Sequence, residues 1–288
     1  MDVHRLNPAK RNAQQANNRL SLAPLGLSIR LKFLFINLFA TIIITLFGLC
    51  ANIKAEEMSF PFNPGEKLTY ALKWMFIPAG EAVLEVLPIE IVNGIKSYHF
   101  VLTTKSNEFI DPFYKVRDRI DAYTDIKMTR SILYKKNQLE GNTHRDIVVQ
   151  YNWKKYKAQY SNFNEKREPI DLLPGSFDPL SSFYYSRLFD LKEDLIIKRP
   201  VTDGKKCVIG KLAVIKRETI KLESGTYDTY LIEPEVKHIG GVFDKSKNAK
   251  IQLWVTADHR RMPVKIKSKV VVGSFTGELV SATGLKGD

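Results

Sequence analysis

The residues best able to do chemistry are scattered through this chain, and their spacings assemble no catalytic signature. The five histidines (His4, His99, His144, His238 and His259) form neither a His-x-His nor a His-Glu-x-x-His spacing. Zinc ligation therefore has no local support, and no metal or cofactor is expected. Gly175-Ser176 lacks the second flanking glycine that presents a hydrolase serine on a sharp strand-to-helix turn. Cys207 reads as a small core residue, because no spacing supplies the histidine partner a nucleophilic thiol requires. Asp111, Asp118, Asp121 and Asp125 interleave with Lys115, Arg117 and Arg119. A glycosidase needs two carboxylates facing each other across a cleft, whereas this alternation reads as charge neutralised between neighbouring strands. The expectation is a binding protein and not an enzyme.

Binding residues are easier to name. Lys265, Lys267 and Lys269 occupy every second position between Val264 and Val270, so their ammonium groups leave one sheet face. They form either a solvated, edge-protecting face or a contact for anionic lipid headgroups or glycan. Lys154, Lys155 and Lys157 pose the same choice. The loop His238 to Phe243, with Gly240-Gly241 at its centre, is either an apolar flap or a hairpin end that packs Phe243 inward.

The elements that must carry these residues are strands. Period-two alternation recurs at Leu68, Tyr70, Leu72 and Trp74, then at Tyr98, Phe100 and Leu102. It returns at Ile147, Val149, Tyr151 and Trp153, at Tyr156 to Tyr160, and in the 251–255 and 264–272 stretches. Turns are expected at Asn63-Pro64-Gly65, Pro78-Ala79-Gly80, Asn93-Gly94, Glu140-Gly141-Asn142, Asp203-Gly204 and Ser224-Gly225. One helix stands out over 179–190: Asp178 caps it, Pro179 takes its first position, and Leu180, Phe183, Tyr184 and Leu188 share a face. Its expected role is to lay that face over an open sheet or barrel mouth. The fold class is mainly β: a curved antiparallel sheet or half-open β-barrel with one short amphipathic helix, and an N-terminal hydrophobic signal or anchor helix.

The chain has 288 residues and a formal charge of +13. Residues 1–55 hold seven Lys/Arg and one acid, which leaves 37 basic against 30 acidic residues beyond them. That moderate excess suits an anionic lipid or glycan surface as well as ordinary solubility. Residues 1–32 form a polar basic arm. The 33–55 segment carries an apolar run from Phe33 to Cys50 behind Arg30 and Lys32, the arrangement an export machinery reads. Cleavage after Ala55 is the favoured outcome, ahead of retention as an anchor with its basic flank in the cytoplasm. Lipidation of Cys50 ranks last, because Leu49 stands where a small residue is required. Residues 56–288 then form one β-rich domain, with a possible subdivision near 169–179.

Several pieces, in order, resemble the DUF3108 family of exported bacterial proteins of unknown function. They are Phe62-Asn63-Pro64-Gly65-Glu66-Lys67-Leu68-Thr69-Tyr70 with Ala79-Gly80, then the stretch Asp178 to Arg187, Gly240 to Phe243, Leu253 to Val264, and Gly273-Ser274-Phe275. The resemblance implies a periplasmic or envelope location and no established activity. The closing hairpins also look like those of LolA/LolB-like lipoprotein carriers, in which a half-open barrel with a helical lid holds acyl chains; this is analogy of fold. The leading expectation is a non-enzymatic binder of a lipid-like ligand. Trp74, Tyr98, Phe100, Tyr151 and Trp153 would line its concave face, with Phe183 and Tyr184 on the lid and Phe243 on the flap. An envelope scaffold that binds a protein or anionic glycan is the alternative, and a glycan-active enzyme ranks behind both. Nucleic acid is not an expected partner.

Overall fold

The computed structural model describes residues 60–235, 250–270 and 273–287. The basic arm, the 33–55 segment with Cys50, and the 238–243 flap with Phe243 lie outside the described residues. Among the described residues no helix is long and apolar enough to cross a membrane.

Strands dominate. The first half holds β1 (Lys67–Trp74), β2 (Ile77–Val92), β3 (Ile95–Ser106), β4 (Val116–Asp125), β5 (Ser131–Glu140), β6 (Thr143–Asn152) and β7 (Lys157–Asn162). Two short pieces follow, β8 (Glu165–Lys166) and β9 (Ile170–Asp171), and then the helix α1 (Pro179–Ser186). The second half holds β10 (Ile196–Thr202), β11 (Cys207–Leu222), β12 (Gly225–Pro234), β13 (Lys250–Thr256), β14 (Pro263–Val270) and β15 (Gly273–Thr283). All ladders are antiparallel and belong to one sheet, ordered β10 to β15, then β1 to β8, with β9 also on β7. Strands before and after the 169–179 stretch thus share a single sheet, joined where β1 pairs with β15.

The alternation read from the sequence decides which face turns inward. Phe100 pairs with Ala122, Ala122 with Tyr134, and Tyr134 with Val149, and all four are buried. Around them Phe60, Phe62, Tyr151, Tyr160, Leu180 and Tyr184 complete the main core. A second cluster on β11 to β13 (Val214, Ile232, Leu253, Val255) packs against Phe183 of the same helix. The sheet therefore wraps around α1 and touches it from both halves. Burying that many aromatic and aliphatic side chains, at about 1.5–3 kcal/mol each, is the main favourable contribution to the fold.

The sheet is open. Its two ends, β8 and β10, are not neighbours in the ladder order. The chain between them covers the gap: Ile170 pairs with Ala158 on β7, while Phe177 bridges Val201 on β10 in parallel. Phe177 N–H donates to Pro200 O at 3.0 Å and Phe177 O accepts from Thr202 N–H at 2.8 Å.

Two expectations are corrected. Pro78-Ala79-Gly80 is no turn; it lies within β2, and the hairpin reverses at Met75-Phe76. Met75 adopts φ 56°, a left-handed conformation that nothing in its residue type announces. His99, which its place between Tyr98 and Phe100 on a strand marks as a surface or edge residue, is instead buried. Its ring stacks on Tyr123 at 4.2 Å, and its two nitrogens lie 2.8 Å from Glu90 and 2.8 Å from Asp121.

Candidate functional site

The strand register places a set of turns at one end of the sheet. Backbone hydrogen bonds link them in sequence around that end. Met75 N–H donates to Ser274 O at 2.7 Å, and Asn107 N–H to Ala79 O at 3.0 Å. Gly141 N–H donates to Lys115 O at 2.8 Å, and Phe163 N–H to Asp146 O at 2.9 Å. This end is the mouth of the half-open barrel. The β10–β11 hairpin closes over its inner side: Gly204 sits so near β6 that an added Cβ would lie 2.6 Å from Val149 Cγ2. Its φ of 84° also favours glycine.

The helix occupies the opposite end. Asp178 caps it through Ser181 N–H at 2.9 Å and accepts from Ser131 Oγ at 2.5 Å. Beyond its C-terminus Arg187 binds Glu66, and Arg261 pairs with Asp190. The sequence reading put this helix over an open sheet or a barrel mouth. It lies on the inner face of the open sheet, at the end away from the mouth, where its cap and its exit are both tied.

Between helix and mouth the inner face changes character. Next to the buried core come half-buried Leu72, Leu84, Leu102 and Ile120, and then charged groups. Lys136 pairs across the ladder with Ile120, and Arg145 with Gln138. Lys205, at the hairpin tip, lies 5.1 Å over the Tyr160 ring, with Arg167 over the same ring at 5.2 Å. Burial and the neighbouring cations Arg145, Arg167 and Lys136 hold Lys205 below the ordinary lysine value, against the pull of Asp203. Asp118 shares this region, 3.9 Å from Lys136. Burial, together with the hydrogen bond and charge of Glu140, raises its carboxyl to about 7. The mouth interior therefore holds several converging cations and one carboxyl, that of Asp118, raised to near neutrality.

Of the residues expected to line a ligand site, most meet in the core. Phe100 and Tyr184 stack 3.9 Å apart, and Tyr98 packs on Phe62 at 5.6 Å and on Phe100 at 5.8 Å. Phe183 touches Tyr184, and Tyr151 stacks on Trp153, whose indole N–H donates to Ser131 O at 2.8 Å. With α1 seated, these rings contact one another. Trp74 stands apart at the mouth. Lys265 is neutralised by Glu278 at 2.8 Å, whereas Lys267 and Lys269 are exposed and carry no ion pair among the described residues.

The interleaved acids split. Asp111, in the loop before β4, pairs with Arg117, and Asp121 with Arg119 two residues away on β4 itself, so these charges are neutralised locally and not between strands as expected; Asp118 faces inward. Ser176 Oγ lies 3.2 Å from Cys207 Sγ, with no histidine in the contact. Among the described residues no group of His, Cys, Asp and Glu could hold a metal ion. The cationic cluster escaped sequence reasoning because Lys136, Arg145, Arg167 and Lys205 come from four separate segments. Only the Asp203-Gly204 turn beside Lys205 hinted at a hairpin able to reach back.

The fold and this mouth can be set beside known proteins. The family model for DUF3108, a protein family of unknown function, matches residues 69–280. The chain belongs to that family. A search of curated proteins finds no match. Among solved structures, a β-barrel-like DUF1849 protein from Brucella abortus is 11% identical at a TM-score of 0.50, covering 75% of this chain and 96% of its own. At that identity the likeness shows the fold alone. A candidate exported protein with a YmcC-like fold from Bacteroides fragilis is 9% identical at a TM-score of 0.28, covering 78% of this chain and 98% of its own. A candidate lipoprotein from Parabacteroides distasonis is 12% identical at a TM-score of 0.28, covering 78% and 97%. As a DUF3108 protein, the chain inherits a fold and no assigned activity.

Proposed function

We propose that this DUF3108 protein is a non-enzymatic protein of the cell envelope that binds an anionic, amphipathic, lipid-like molecule in the mouth of its half-open barrel. The observation that carries the reading is the inner face itself. Half-buried Leu72, Leu84, Leu102 and Ile120 run directly into Lys136, Arg145, Arg167 and Lys205. An acyl chain laid along the aliphatic stretch would present its headgroup to the cations, and a carboxylate or phosphate there would relieve their mutual repulsion. The apolar segment behind Arg30 and Lys32 supports export as the route to such a ligand.

Native mass spectrometry of the full chain, beside an Arg145→Glu/Lys205→Glu variant, tests this. The expected result is an anionic acyl-lipid adduct of defined mass on the wild type that is lost from the variant. No adduct, or the same adduct on both, would overturn it.

A further inference from the structure

The outer rim of the mouth has a feature that ligand binding does not require. Eight aromatic side chains are exposed among the described residues, and seven of them lie on or beside the mouth turns: Trp74, Phe76, Phe109, Phe113, Tyr114, Phe163 and Phe275. The exception is Tyr156. Phe76 and Phe113 are 81% and 80% exposed, so nearly their whole rings stand in solvent. The turns of the opposite end are built from Asn93-Gly94, Lys154-Lys155 and Glu223-Ser224. Both ends close the same kind of antiparallel hairpin, so strand geometry does not explain the difference.

Charge identifies what the rim meets. Lys115, Lys166, Lys206, Lys267 and Lys269 lie in or next to the mouth turns and carry no ion pair among the described residues. The acids of which the same holds are Glu108, Glu140, Glu165 and Asp203. Aromatic tips surrounded by an excess of lysine are what an anionic bilayer receives: rings settle at the headgroup level while ammonium groups meet phosphate. We propose that the mouth rim seats on an anionic lipid bilayer, with Phe76, Phe109 and Phe113 entering the interface. The inference goes beyond ligand binding, since the rim would dock whether or not the interior carries a lipid.

The test keeps the full chain and reads contact at the rim alone. A fluorophore is attached at Phe113→Cys, and for control at Ile91→Cys on the opposite end, in a Cys50→Ser/Cys207→Ser background. Quenching by brominated lipid is measured in phosphatidylglycerol and in phosphatidylcholine vesicles. The expected result is strong quenching at 113 and none at 91, greater in phosphatidylglycerol and weakened by salt. Adding Phe76→Ser and Phe109→Ser should reduce the quenched fraction at 113 by about tenfold. Equal quenching at both positions, none at 113, or no effect of the serine substitutions would overturn the proposal. Because the serine variants leave Arg145 and Lys205 intact, the lipid adduct sought by mass spectrometry should persist in them, which separates failure of docking from failure of ligand binding.

Discussion

Arg187 and Glu66 form a two-pronged ion pair, Nη1 to Oε1 at 2.6 Å and Nη2 to Oε2 at 2.9 Å, with both side chains 1% exposed. It fastens the exit of the helix to the start of β1. Nη2 also donates to Arg260 O at 2.9 Å, so the guanidinium ties three separate segments together. Removing either partner strands a charge in the core. Arg187→Met or Glu66→Gln should each cost about 3–5 kcal/mol, and the double change Arg187→Met/Glu66→Leu much less than their sum. Urea unfolding of the singles and the double checks this; additive losses would show that the two groups act separately.

Asp178 holds the other end of the helix. Its carboxylate accepts from Ser131 Oγ, Ser181 N–H and Ser181 Oγ, and burial pushes its pKa up. Asp178→Ala leaves three buried donors unmatched and should lose about 2–3 kcal/mol, whereas Asp178→Asn keeps an acceptor and should lose far less. Thermal melts of the two variants should differ clearly.

Two carboxyls on one strand should respond to pH with opposite signs. Burial and the neighbouring Glu140 raise the Asp118 carboxyl to about 7, well above the unfolded carboxylate value, so the folded chain keeps a proton that the unfolded chain has released. Stability therefore falls as pH rises from about 4 to about 7, and is level beyond that. Asp121 behaves in reverse. Burial raises it, but hydrogen bonds from His99 and Arg119 outweigh that and lower it to about 2. Its contribution is complete above about pH 4 and is lost as pH falls toward 2. Asp118→Asn should gain about 1–2 kcal/mol over wild type at pH 8 and nothing at pH 4, the shift being discounted for screening by Lys136 and solvent. Asp121→Asn should lose about 1–2 kcal/mol at pH 7, the difference fading below pH 3. Denaturation at a series of pH values would show the two curves meeting wild type at low pH and departing from it in opposite directions as pH rises.

Gly204 seals the hairpin against β6. Gly204→Ala should cost about 1–3 kcal/mol through contact with Val149 and through its φ of 84°. Pairing it with Val149→Ala should recover the contact part only. A double-mutant cycle with no coupling would mean that the hairpin does not press on the strand.

How far the sequence could be read depended on the range of the physics involved. Alternation is local, so the inward faces of β3, β6 and β7 followed from Tyr98-x-Phe100, Val149-x-Tyr151 and Ala158-x-Tyr160. The cap and first residue of α1 followed from Asp178-Pro179. The destination of that helix did not, because it is set by Glu66, distant in the chain, and by Asp190 meeting Arg261. The hairpin at Met75 was hidden for another reason: its tip carries none of the residues that ease positive φ, while Pro78 and Gly80 nearby imitate a turn. The cationic cluster needed the closing of the whole sheet. No window along the chain contains Lys136, Arg145, Arg167 and Lys205 together.

The strap from Ile170 to Phe177 has a mechanical meaning. In a closed barrel the bore is fixed by strand number and shear, and it cannot widen without breaking a ladder. Here the circumference is interrupted once, and the interruption is bridged by irregular chain anchored to β7 at Ile170 and to β10 at Phe177. The girth of the protein is therefore set at this seam by the short β9 pairing, a few backbone hydrogen bonds and the burial of Leu172 and Phe177, and not by a continuous strand ladder.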